Sequence, residues 1–100
     1  MSGHITVNRK MGCTIDELLH WLPAATNQKK SHVTKDLEIV RVNFPEDGFA
    51  LQAITGSPRK IALLEIPVLD VIFSFDPKWS KLEIDLFMKR FDLYTQRGGG

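Results

Sequence analysis

The chain has 100 residues, 43% hydrophobic and 25% charged, with 13 Lys+Arg against 12 Asp+Glu. One domain of ordinary globular composition fits these numbers, and a disordered or collagen-like chain does not. A net charge of +1 argues against a DNA-coating protein, and the single cysteine excludes a disulfide framework, an iron–sulfur cluster and a Cys-based zinc site.

The N-terminal stretch Met1–Lys10 has no apolar core, so no signal peptide is expected. The most apolar stretch, Ile61–Phe75, is interrupted by Glu65, Pro67, Asp70 and Ser74 and is too short and polar to span a bilayer. No membrane association is expected, and a reducing cytoplasm is the default compartment for one lone cysteine.

In chain order, Ile5, Val7 and Arg9 alternate with Thr6 and Asn8, predicting a half-buried strand that ends near Met11-Gly12. Thr14-Ile15-Asp16-Glu17 reads as a capping box. Ile15, Leu18, Leu19 and Leu22 then mark one helical face, and Pro23 is expected to stop the helix at Leu22. Ala24–Lys35 reads as an exposed loop. Leu37–Phe44 is strand-like, Pro45-Glu46-Asp47-Gly48 is a turn, and Phe49, Leu51 and Ala53 alternate on the return strand. A change of phase at Pro67-Val68 divides Ile61–Ile66 from Leu69–Phe75, giving two strands or one bent strand. Asp76-Pro77 predicts the start of a last helix that runs to about Thr95.

These elements predict an α+β domain over 1–97, in the order β-α-β-β-β-β-α. The sheet is expected to be mainly antiparallel, with a long C-terminal helix packed on one face and a flexible glycine tail at 98–100. The order resembles the TATA-binding-protein-like or helix-grip arrangement, a likeness of topology that carries no function.

The last helix is the informative element. At about 100° per residue, Trp79, Leu82, Leu86 and Leu93 form one apolar stripe, and Ile84, Phe87, Met88 and Phe91 form another on the opposing side. One sheet covers one stripe. The other is either wedged inside the same molecule or covered by something else, and a two-fold homodimer is the simplest external cover. The expectation is a non-catalytic interaction module, a homodimer or adaptor, acting through Ile84, Phe87, Met88 and Phe91.

Catalytic and metal chemistry find little support. Cys13 precedes a capped helix, but no His, resolving Cys or CxxC pattern supports a reactive thiol, and a hydrophobic staple onto Leu18 explains it. His4, His20 and His32 lack metal-ligand spacing. No catalytic residue, cofactor site or metal site is expected. Arg59 and Lys60, after Gly56-Ser57-Pro58, are candidates for anion binding, although the GxxxxGK[ST] spacing is absent. Near neutrality and the lack of an RNP-type aromatic pattern disfavour nucleic acid. The tail Gln96-Arg97-Gly98-Gly99-Gly100 resembles that of ubiquitin-like carriers, which implies modification at Gly100 as a second reading, with a ligand pocket between helix and sheet as a third.

Overall fold

A computed structural model describes residues 4–27 and 30–95. The elements are β1 (Ile5–Met11), α1 (Ile15–Ala25), β2 (His32–Lys35), β3 (Ile39–Phe44), β4 (Phe49–Thr55), β5 (Arg59–Ile61), β6 (Leu64–Ile66), β7 (Leu69–Phe75) and α2 (Lys81–Tyr94). Five strands form one antiparallel sheet in the order β1-β7-β4-β3-β2, and β5 and β6 pair only with each other. This is the expected α+β arrangement, with the helices on one face of the sheet.

The register explains how the core is built. Val7, Phe73, Leu51, Val42 and Val33 lie in one row across the five strands. Alternate residues of a strand point to opposite faces, so β4 and β7 each bury every second residue beneath the helices: Phe49, Leu51 and Ala53, and Leu69, Val71, Phe73 and Phe75. The other face carries Ser74, Ala50 and Asn43 in one row and Ile72, Gln52 and Arg41 in the next.

Strand β3 starts at Ile39, two residues after the expected Leu37, and four larger features differ from the sequence expectation. Helix α1 continues through Pro23 to Ala25. Proline removes one backbone donor, but here it falls in the last turn, where the following amide of Thr26 still reaches the Leu22 carbonyl at 2.8 Å. Within the stretch expected as loop, His32–Lys35 pairs with β3 as an edge strand. Polar edge strands lack the alternation that marks a half-buried one. Ile61–Ile66 is no single strand, because the chain reverses at Ala62-Leu63 to pair Ile61 with Leu64. Ala62 takes a φ of +53° at that reversal.

The fourth difference sets which side of the last helix meets the sheet. Helix α2 starts at Lys81, four residues later than Asp76-Pro77 suggested. Its N-cap is Ser80, whose hydroxyl accepts from the Glu83 amide while Glu83 returns a carboxylate to the Ser80 amide. Asp76–Trp79 is instead a turn braced against the Pro45–Gly48 turn. The Asp76 amide donates to Gly48 O, and the Trp79 indole donates to Asp47 O, both at 2.8 Å. Gly48 has φ +72°, a conformation that L side chains rarely adopt, so glycine suits the turn.

Trp79 therefore leaves the helical wheel and stacks edge-on against Phe49 and Phe87. What α2 lays on the sheet is Ile84, Phe87, Met88 and Phe91, none more than 8% exposed. Phe91 meets Phe73 edge-on with ring centroids 4.8 Å apart, and Phe87 meets Phe49 at the same spacing. The four residues expected to form an interaction surface are thus internal core of the same chain. The reason is area and fit: three phenylalanines on β4 and β7 offer edge-to-face partners that aromatic side chains fill better than leucines.

Helix α1 packs beside α2, burying Ile15, Leu18, Leu22 and Ala25. Arg90 ties the helices together. Its Nη2 donates to the Ala24 carbonyl at 3.0 Å, and its guanidinium lies 4.5 Å from the Tyr94 ring centroid. Helix α1 has no basic residue in its own last turn, so this cation from α2 complements the negative end of the α1 dipole. Among the described residues the buried Arg90 Nε has no hydrogen-bond partner, which offsets part of that gain.

This arrangement separates two kinds of substitution on one helix. Phe91→Ala should destabilise the fold by about 3–5 kcal/mol. Leu86→Asp, on the outer side, should stay within about 0.5 kcal/mol of the parent. Urea denaturation of the two variants checks both values.

Candidate functional site

The outer side of α2 carries the leucines. Leu82, Leu86 and Leu93 are 68%, 59% and 66% exposed. They recur at i, i+4 and i+11, with Lys89 at i+7, which is the spacing of a heptad seam. The apolar excess expected of this helix is real, but it belongs to the other stripe.

Both flanks of the crest are polar and anchored. On the β1 side, Arg9 grips Asp92 through two 3.0 Å hydrogen bonds, Nε to Oδ1 and Nη2 to Oδ2. That bidentate bond holds the Arg9 pKa above its ordinary value despite partial desolvation. Lys81 pairs with Asp85 one turn on, at 3.0 Å. On the α1 side lie Glu83, used as a cap, and Arg90, used on Ala24. The crest is a narrow apolar ridge between charged shoulders.

A second set of apolar side chains stands on the β5–β6 hairpin. Leu63 is fully exposed at its tip, and Ile61 and Leu64 flank it. An isolated two-stranded hairpin is marginal in water. At its root a groove of about 300 Å³ is lined in part by Ile15, Leu37, Pro58, Pro67 and Val68.

The remaining candidates are not drawn together. Arg59 and Lys60 sit on β5 with side chains on opposite faces of the hairpin, and Lys60 faces Glu65 at 3.8 Å. Three cations of the other basic segments also face carboxylates: Arg9 with Asp92, Lys10 with Asp70 and Lys35 with Asp16. Cys13, the residue before the Thr14 cap, is buried in the same core as Leu18. Among the described residues no group of three or more His, Cys, Asp or Glu could hold a metal. His4 and His32 do line one basin of about 540 Å³ with Asn43, Ser74 and Asp76, on the sheet face away from the helices. The space between helix and sheet is filled by Phe49, Phe73, Phe75, Phe87 and Phe91, so the expected ligand pocket is occupied by side chains. Gly100 and the rest of the glycine tail lie outside the described residues.

Among the described residues, no helix is long and apolar enough to cross a membrane. No protein-family model matches this chain, and neither does any curated protein or solved structure.

The hairpin gives a test of its own. A left-handed alanine costs about 1–2 kcal/mol that glycine avoids. Ala62→Gly should slow amide exchange across β5 and β6, measured by hydrogen–deuterium exchange, and leave the main sheet unchanged.

Proposed function

We propose that the chain is a non-catalytic protein-interaction module whose working surface is the outer crest of α2. The observation that carries this reading is the seam Leu82, Leu86 and Leu93, left outside a core that α2 already completes with its other side. Leaving three leucines wet forgoes roughly 1.5–3 kcal/mol each. A partner helix laid along the ridge recovers that energy, with Lys89 covering the seam by its stem and keeping its ammonium in water.

A photo-crosslinking residue placed at position 86 tests the reading in cells that make the protein. The expected result is a discrete adduct that disappears when Leu82 and Leu93 are both changed to Asp. A probe at Thr34, on the far edge strand, serves as the comparison. Equal adducts at positions 86 and 34, or an adduct indifferent to the two Asp changes, would overturn the assignment.

A further inference from the structure

We infer that two copies of this chain join edge to edge through β1, forming one continuous ten-stranded antiparallel sheet. The partner is a second copy, and the pairing is independent of the leucine crest.

The first observation is the edge itself. The sheet has two ends, β1 and β2. Strand β2 is four residues long with every residue exposed, a short polar edge of the kind that resists pairing. Strand β1 is seven residues long and pairs with β7 in unbroken register from Ile5 to Met11, with no proline and no bulge. A long, regular edge is a template for another strand. Its two cations, which would otherwise repel a second copy, are already matched within the chain, Arg9 by Asp92 and Lys10 by Asp70. Arg9 Nη1 also donates to the Asn8 carbonyl at 3.2 Å, and its two bonds to Asp92 hold it in place if an incoming strand takes that carbonyl.

The second observation is apolar. On the helix-side face of β1, Ile5 is 41% exposed, and Val7 and Met11 are only half-buried. They mark the place where the core runs out at the sheet edge. A second β1 brings its own Ile5, Val7 and Met11 alongside and continues that layer, with Arg9 in the same row drawn toward Asp92.

The third observation selects a copy of this chain over an arbitrary strand. The α2 flank on the β1 side reads Lys81, Asp85, Lys89, Asp92, alternating in sign. The bond from Asp92 to Arg9 fixes which flank this is. A four-member alternating row set against itself in reverse order puts opposite signs opposite: Lys81 toward Asp92 of the copy, a carboxylate that Arg9 of its own chain also holds, and Asp85 toward Lys89. A two-fold axis between antiparallel β1 strands also sets the α2 helices antiparallel, on the same side of the joined sheet. The same row set against itself in parallel would oppose like charges. The charge order thus favours the symmetry that edge pairing produces.

The experiment exchanges two charges on one helix. The double variant Lys81→Glu/Asp85→Lys keeps the net charge and the i,i+4 ion pair, and both side chains are largely exposed. Its row, minus-plus-plus-minus, opposes like charges at all four cross positions of the two-fold pair. Sedimentation equilibrium from micromolar to millimolar protein should show the wild type passing from 11.4 kDa to twice that mass. The variant should dimerise at least roughly tenfold more weakly. Hydrogen exchange should show amides of β1 becoming protected with concentration in the wild type and those of β2 unchanged. A wild type that remains monomeric throughout overturns the inference. So does a dimer that survives the exchange with β1 unprotected. A dimer dissolved by Leu86→Asp but not by the charge exchange would place self-association on the crest and overturn edge pairing alone. An intact β1 dimer with no crosslink at position 86 would instead count against the crest.

Discussion

The structure depends on one contact layer, the edge-to-face meeting of Phe87 and Phe91 with Phe49, Phe73 and Phe75. Everything on α2 is oriented by it. Because the aromatic face goes down, the leucine face goes up, one charged flank reaches β1 through Asp92, and the other reaches α1 through Arg90. Rotating the helix to bury its leucines would break the rings' mutual geometry and both polar anchors together. The choice between two apolar stripes is therefore decided by aromatic packing and fixed by two arginines.

Much of the fold is legible in the sequence where periodicity is strong. Leu69–Phe75 and Phe49–Ala53 alternate cleanly because one face of each strand is core and the other is not. The Thr14–Glu17 capping box is visible for the same reason, since both of its halves are local. The Ser80–Glu83 box is equally local, yet Asp76-Pro77 offers a competing helix start four residues upstream. Counting Trp79 into the helix then makes the leucine stripe look like the inward one. Only the tertiary bond from the Trp79 indole to Asp47 reveals that this residue belongs to a turn.

The exposed hairpin and the strand β2 show the limit from the other side. Neither is half-buried in the ordinary way, so neither writes an alternating pattern. Ala62 carries no glycine or asparagine signal for its left-handed backbone. Strand β2 is specified by its neighbour β3 rather than by its own residues. The apolar residues of α2 are plain in the sequence, but which of them face outward is set by residues on β4 and β7, far away in sequence.

The two indoles sit on the same side of the molecule. Trp21 borders the core from α1, and Trp79 closes the aromatic layer at the start of α2. The opposite face, with Asn43, Ala50, Gln52 and Ser74, has no tryptophan near its centre. Intrinsic fluorescence is consequently a selective reporter: it registers any loosening of the helical layer and stays blind to events on the bare pleated surface.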